Sequence, residues 1–172
     1  MTTGGNAAVQ LETIGWLHTL FTEHDVTYWL FGGWAVDFHV GRVTRYHEDI
    51  DVAVWRADLD RIQILLEVQG WFQVTEPEEA GYTAYERRGV RLELALLARD
   101  DAGTPYTPLA EGRGDWPAGS LADIEAELDG VRARVVGLAS LIADKSVARD
   151  DPVAVAKDSA DVAVLTRLQT SD

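Results

Sequence analysis

The chain of 172 residues contains no cysteine, one methionine and five prolines. The lack of cysteine excludes disulfide bonds and thiolate metal ligands, and it is consistent with a reducing cytoplasm. No apolar run approaches the roughly 18 residues that a membrane span requires. The first residues also lack the basic and apolar segments of a signal peptide. We therefore expect a cytoplasmic protein that does not associate with membranes.

Basic residues are also scarce, because 15 lysines and arginines face 29 acidic residues and give a formal net charge of −14. A surface this acidic repels phosphate backbones, so we expect no nucleic-acid partner. It would attract cationic ligands instead. The acidic residues are spread along the chain, which favours a role in solubility for most of them.

Hydrophobic periodicity and turn residues divide the chain into alternating elements. Predicted helices cover 8–24, 35–40, a stretch capped by Asp58 and ended by Gly70, 138–149 and 152–168. Predicted strands cover 26–31, 49–55, 71–75, 82–88, 90–97 and 131–136. Residues 100–119 are rich in Gly, Pro and Asp and are predicted to form a loop. The order predicts an α/β (α+β) fold with a mixed sheet, in which 1–136 form the core and 137–172 a helical extension.

Two carboxylates mark the strand predicted over 49–55. Side chains alternate along a strand, so His47, Asp49 and Asp51 share one face while aliphatic residues fill the other. Adjacent carboxylates repel each other unless a cation lies between them, and oxygen ligands of this kind suit Mg²⁺. An Asp-x-Asp pair alone is also typical of a solvated strand edge.

A glycine pair, Gly32-Gly33, lies between the predicted strand 26–31 and the helix 35–40. Glycines in this position let the backbone approach a ligand, and the helix N-terminus behind them favours a phosphate. The alternative is a tight turn without a ligand. The acidic strand follows sixteen residues later, which favours the phosphate-binding interpretation.

A third acid and several basic residues complete the candidate site. Glu93 is a charged residue in an apolar strand, and it is either a third carboxylate of the site or an exposed residue paired with Arg91. Candidate phosphate ligands are Arg42, Arg45, His47 and Lys145. Loop solvation is the alternative for Arg42, and a stem laid over apolar surface is the alternative for Lys145.

Residues 26–37, with Gly32-Gly33-Trp34, and residues 41–51, with Asp49-Ile50-Asp51, together resemble the small antibiotic nucleotidyltransferases. These include lincosamide nucleotidyltransferases and relatives that modify aminoglycosides. The resemblance implies a polymerase-β-like core, Mg²⁺, and transfer of a nucleoside monophosphate, AMP if the donor is ATP, to a hydroxyl of a small cationic antibiotic. Asp49 and Asp51 match the metal ligands, and Gly32 and Gly33 match the phosphate-binding turn. Glu93 stands at the third acid, commonly aspartate, where it would be a metal ligand and the catalytic base.

Four aromatic residues are candidates for the wall that binds the acceptor, although most aromatic residues in such a chain belong to the core. They are Trp34, Tyr46, Tyr82 and Tyr85. Two other functions share the glycine and Asp-x-Asp signature, namely an antitoxin-like nucleotidyltransferase that modifies a protein partner and an inactive relative that only binds nucleotide. We expect a monomer or a homodimer.

Overall fold

The structure is a computed structural model that describes residues 3–74, 81–146 and 149–171. The helices of these residues are α1 (Thr3–Glu23), α2 (Gly32–Val40), α3 (Leu59–Val68), α4 (Leu138–Lys145) and α5 (Pro152–Gln169). The strands are β1 (Tyr28–Phe31), β2 (Ile50–Trp55), β3 (Phe72–Gln73), β4 (Tyr82–Arg87), β5 (Val90–Arg99), β6 (Pro105–Pro108), β7 (Arg113–Asp115), β8 (Glu125–Leu128) and β9 (Val131–Arg134). Across these ranges, no helix has the length and apolar character that crossing a bilayer would require.

Seven strands form a mixed sheet in the order β1-β2-β5-β4-β3, with β6 beside β5 and β7 beside β6. Strands β2 and β5 run parallel, and the other neighbours in this sheet run antiparallel. The register pairs Asp51 with Glu93 on β5 and with Phe31 on β1. The end of β1, where the glycine turn begins, therefore lies beside the acidic strand.

The sheet has a core on each face. On one face, Ile50, Val52 and Val54 join the apolar side chains of α1 and α3 in the larger cluster. On the other face, Ala53 joins Leu165 of α5 in a smaller cluster to which α2 and α4 also contribute. Because side chains alternate along β2, this arrangement places Asp51 on the face that α2, α4 and α5 cover.

The segment 100–119 is not the loop that its composition predicts. It contains the hairpin of β6 and β7, which continues the sheet beyond the last residues of β5. Pro105 and Pro108 begin and end β6, at positions where a strand tolerates a residue without an N–H group. Tertiary pairing with β5 therefore overrides the local turn composition.

A second hairpin joins β8 and β9, and β8 is absent from the sequence interpretation. The turn itself, Asp129-Gly130, is predicted correctly. Both residues have positive φ, +48° and +80°, as the two-residue turns that link antiparallel strands require. Such a turn calls for a strand on each side, so the strand before it was predictable.

Smaller differences concern two helix ends. Asp58 makes no capping hydrogen bond to α3 and pairs instead with Arg61, Oδ1 to Nη2, at 2.8 Å. The predicted helix 138–149 ends at Lys145, and residues 147–148 lie outside the described residues. Residue 75, the end of the predicted strand 71–75, also lies outside them.

Candidate active site

Asp49, Asp51 and Glu93 form a carboxylate triad. Each offers one carboxylate oxygen, and the three atoms lie within 4.8 Å of one another. Burial raises the pKa of Asp49, and the negative charge of Glu93 raises it further. Burial, followed by the charges of Asp49 and Glu93, raises the pKa of Asp51 well above its ordinary value. Oxygen ligands that repel one another in this way fit a divalent cation, which would remove the repulsion.

Glu93 satisfies both alternatives that the sequence leaves open. It belongs to the triad, and it also accepts a hydrogen bond from Arg91 Nε at 3.0 Å. Both side chains are about one-third exposed, so an ion pair of this kind contributes about 1 kcal/mol or less. Asp49 and Asp51 line the neighbouring cavity, whereas Glu93 is not one of its lining residues.

The glycine turn is required by its surroundings. Gly32 has φ +68°, in the left-handed region, and a Cβ there would collide with the Oδ2 atom of Asp51. A Cβ on Gly33 would lie 2.5 Å from His47 Nδ1 and 2.6 Å from Arg45 Nη2. Helix α2 begins at Gly32, so its first N–H groups lack helical partners. Gly32 and Gly33 both line the cavity described below.

Asp37 of α2 fixes the loop that carries Arg45 and His47. Its fully buried carboxylate accepts hydrogen bonds from the backbone N–H of Thr44 at 3.1 Å and from His47 Nε2. On the other side of the loop, Gln10 of α1 donates to the backbone carbonyl of His47 at 3.1 Å. Asp37 has no assigned role in the sequence interpretation, although a charged residue in an otherwise apolar helix is a detectable signal.

Two of the predicted phosphate ligands line the cavity together. Arg45 donates from Nε and Nη2 to the two oxygens of Asp161, at 3.1 and 3.0 Å. Lys145 is only 9% exposed, and its Nζ lies 3.1 Å from Asp161 and 3.4 Å from Asp158. Arg149, which the sequence interpretation omits, pairs with Asp158 at 2.7 Å.

These groups surround an open cavity of about 630 Å³, within the size range of small-molecule sites. At one end lie the glycine turn, Arg45 and Lys145, and the triad aspartates adjoin them. The cavity is also lined by Thr107, Asp115 and Trp116, contributed by the β6–β7 hairpin and the residue after it. The segment predicted to be a loop therefore forms one wall of the site.

The aromatic residues of the cavity differ from those predicted. Among the four candidates, Tyr82 alone lines it. Trp34 is a core residue whose indole N–H donates to Gln10 at 2.8 Å, and Tyr46 is half-exposed outside the cavity. Tyr85 is buried on the opposite face of β4, because residues three apart on a strand point to opposite sides.

Two aromatic residues that were not predicted, Phe31 and Trp116, line the cavity. Their rings meet edge to face, with centroids 5.2 Å apart. Arg42 is exposed and lies outside the cavity wall, so loop solvation describes it. His47 does line the cavity, with its Nε2 held by Asp37.

Further acidic groups line the cavity, among them Glu48, Asp115 and Asp144. Burial raises the pKa of the Asp144 carboxyl group. Burial also raises the pKa of Tyr82, with Asp144 and then Asp51 adding to the shift. The cavity therefore combines a cationic end with an acidic and aromatic wall.

The chain is similar to known antibiotic-modifying proteins. A profile of the aminoglycoside-2''-adenylyltransferase family matches residues 14–146. A 2''-aminoglycoside nucleotidyltransferase of Klebsiella pneumoniae is 37% identical over 62 residues, 36% of this chain and 34% of that protein. A lincosamide resistance protein of Staphylococcus haemolyticus is 43% identical over 47 residues, 27% of this chain and 29% of that protein. The matched segments thus span about a third of these curated relatives.

Solved structures show the same fold at lower sequence identity. The lincomycin-bound lincosamide antibiotic adenylyltransferase LnuA has a TM-score of 0.70 at 20% identity, covering 89% of this chain and 94% of that one. The solution structure of the antibiotic-resistance factor ANT(2'')-Ia has a TM-score of 0.68 at 21% identity, covering 95% and 91%.

Proposed function

Because the chain belongs to the aminoglycoside-2''-adenylyltransferase family, we propose that it transfers AMP from ATP to a hydroxyl of a small cationic antibiotic and releases pyrophosphate. Family membership confirms the resemblance identified in the sequence, and the structural neighbours confirm the nucleotidyltransferase fold. The observation that carries the proposal is that the carboxylate triad and the glycine turn lie side by side at one cavity.

Mg²⁺ fits the triad as a resident cofactor. The donor set consists of three carboxylates. Burial and then the charges of the neighbouring carboxylates raise the pKa of Asp49 and Asp51, and a cation would relieve this repulsion. Asp49, Asp51 and Glu93 would hold it. When bound, the ion neutralises triphosphate charge and makes the α-phosphorus more open to attack.

The phosphates of the donor are bound at the end of the cavity that the glycine turn forms, next to the triad. The unpaired N–H groups at the start of α2 donate to phosphate oxygens, as helix N-termini do in other phosphate sites. Arg45 offers a planar fork of donors, and Lys145 adds a point charge. His47, fixed by Asp37, completes this end.

The reaction is an in-line displacement. The acceptor oxygen forms a bond to the α-phosphorus, the bond between that phosphorus and the bridging oxygen breaks, and pyrophosphate leaves. We assign the proton of the acceptor hydroxyl to the carboxylate of Glu93. The pair with Arg91 is partly exposed and contributes little energy, so it does not oppose this role. Positioning and charge stabilisation supply most of the rate.

The acidic and aromatic wall suits a cationic acceptor. Asp115 and Asp144 would pair with ammonium groups, while Tyr82 and Trp116 would cover apolar or sugar-ring surface. The names of the relatives favour aminoglycosides and lincosamides as acceptors. The family match favours this function over modification of a protein partner.

A pyrophosphate-release assay tests the proposal, with aminoglycosides, lincosamides and each nucleoside triphosphate as a panel, followed by mass spectrometry of the drug. We expect Mg²⁺-dependent release and a drug whose mass has increased by one nucleotide. Nucleotide transfer to a co-purifying protein would support the antitoxin-like alternative. Mg²⁺-dependent ATP binding without release on any acceptor would support the inactive one.

A further inference from the structure

Helix α5 carries two buried acids beside the cavity, and one of them, Asp158, lines it. Asp158 and Asp161 are 7% and 2% exposed, and they lie three residues apart on one helix face. Burying two carboxylates is costly unless each has a cationic partner. Both acids have such partners, and all of these partners line the cavity.

Asp161 joins two of the predicted phosphate ligands, Arg45 and Lys145. Its carboxylate receives two hydrogen bonds from Arg45, 116 residues earlier in the chain, and one oxygen also lies 3.1 Å from Lys145 Nζ. Burial alone would raise the pKa of Asp161, but the hydrogen bond from Arg45 and the charge of Lys145 lower it below its ordinary value. The carboxylate is therefore held ionised between two cations.

The charges of this cluster nearly balance. Three cations, Arg45, Lys145 and Arg149, face the two carboxylates of Asp158 and Asp161. Without Asp161, the positive charges of Arg45 and Lys145 would repel each other in a poorly solvated place. Removing one partner of a buried ion pair leaves the other charge uncompensated.

The ion pair with Asp161 holds Arg45 beside the glycine turn. The Nη2 atom of Arg45 lies 2.6 Å from the position that a Cβ on Gly33 would take, so the guanidinium rests against the glycine turn. A second contact from α5, between Lys157 and Glu48 at 3.3 Å, reaches the same loop, but this pair is largely exposed and contributes little. Helix α5 thereby sets where this loop meets the start of α2.

We propose that Asp161 is a positioning residue for the donor nucleotide, because it holds Arg45 and Lys145 together at the glycine turn where the phosphates bind. This inference rests on the donor half of the proposed function. It makes α5 part of the nucleotide site. The division into a core of 1–136 and an extension of 137–172 remains a prediction about folding units, and the nucleotide site would cross that boundary.

Calorimetric titration of Asp161→Asn with three probes tests the proposal. The probes are a non-hydrolysable Mg·ATP analogue, inorganic pyrophosphate with Mg²⁺, and Mg²⁺ alone. We expect the dissociation constants of the first two to rise at least tenfold, since both probes carry phosphates. The dissociation constant for Mg²⁺ alone should change less than twofold, because Asp161 does not belong to the triad. A general structural defect would weaken all three together and overturn the positioning role.

Asp58→Asn is a matched control, because it also removes a carboxylate paired with an arginine, but outside the cavity. It should leave all three constants unchanged. Asp161→Glu preserves the charge, so it keeps the proposal testable if the amide variant does not fold, and we expect an intermediate loss. Phosphate binding at the wild-type level in a folded Asp161 variant would overturn the inference.

A double variant separates action through Arg45 from a direct role. If Asp161 acts by holding Arg45, then Arg45→Gln combined with Asp161→Asn should bind Mg·ATP about as weakly as Arg45→Gln alone. Fully additive losses in binding free energy would contradict action through Arg45.

A wild-type protein that binds the nucleotide but modifies no antibiotic would refute only the proposed acceptor, not the proposed donor. If the wild-type protein bound neither phosphate probe, both this inference and the proposed nucleotide donor would be overturned.

Discussion

Gly32 and Asp51 lie in such close contact that a Cβ on the glycine would collide with the carboxylate. We expect Gly32→Ala to abolish nucleotide transfer by displacing Asp51, and to lower the free energy of unfolding by about 1 kcal/mol or more because of the positive φ. Gly41→Ala is the control, since Gly41 also has positive φ but nothing lies within 4 Å of its Cβ position. It should show the stability loss and keep activity, measured by chemical denaturation and pyrophosphate release. Comparable activity in the two variants would exclude the steric explanation.

Removing the metal should reveal how much the carboxylate triad destabilises the folded protein. The pKa of Asp51 is raised on folding by burial and by its neighbouring carboxylates. The folded state therefore holds the proton more tightly than the unfolded state, so stability is lost as pH rises above the unfolded value of about 3.9. In EDTA at neutral pH, Asp51→Asn should unfold at a temperature equal to or above that of the wild type, and this advantage should shrink as the pH falls toward 4.

Mg²⁺ should make the wild type more stable than Asp51→Asn, which reverses the order of their unfolding temperatures in EDTA. At a concentration 100-fold above its dissociation constant, Mg²⁺ should stabilise the wild type by about 2.7 kcal/mol, or a rise of roughly 5–10 °C for a chain of this size. Asp51→Asn should gain little and should transfer no nucleotide, and the same holds for Asp49→Asn. Thermal unfolding with and without the ion measures this effect. An equal Mg²⁺ shift in the wild type and both variants would place the metal elsewhere.

Glu93→Gln should lower kcat by about 100- to 10,000-fold, the usual contribution of a general base. Binding of the Mg·ATP analogue should persist in this variant. Arg91→Gln is the comparison, because it removes the ion pair but keeps the carboxylate, and we expect it to change kcat by about threefold or less, given the small energy of such pairs. Equal effects in the two variants would show that the pair matters and the base does not.

The acceptor wall can be tested with aromatic residues. Tyr82→Ala and Trp116→Ala should each raise the KM for the antibiotic by about tenfold, since loss of a well-packed aromatic contact costs at least about 1 kcal/mol. Tyr46→Ala should not, because this side chain is half-exposed outside the cavity. Steady-state kinetics at saturating ATP gives the comparison. If Tyr46→Ala raised the KM while Tyr82→Ala did not, the acceptor would bind on another surface.

The sequence was informative where local periodicity decides the structure. Alternation along β2 puts Asp51 opposite the aliphatic side chains, and a glycine pair between a strand and a helix indicates a turn, so both features could be predicted without knowing the fold. Alternation also separates Tyr82 from Tyr85, so the phase of β4 alone could have excluded Tyr85 from the site.

The remainder depends on contacts between distant segments. Trp116 follows a hairpin that forms because β5 extends far enough to pair with it. Asp161 meets Arg45 across 116 residues, and no local pattern specifies that two charged residues so far apart will share a buried site. Patterns within one segment therefore predict the triad and the turn better than they predict the walls of the cavity.

Strand β2 is hydrogen-bonded on both sides, to β1 and to β5, so its side chains cannot change phase without breaking both ladders. Gaining one residue between Ile50 and Asp51 would rotate the carboxylate into the aliphatic layer and turn Val52 toward the opposite face of the sheet. During the evolution of this gene, substitutions within β2 should therefore persist far more often than insertions or deletions of a single codon.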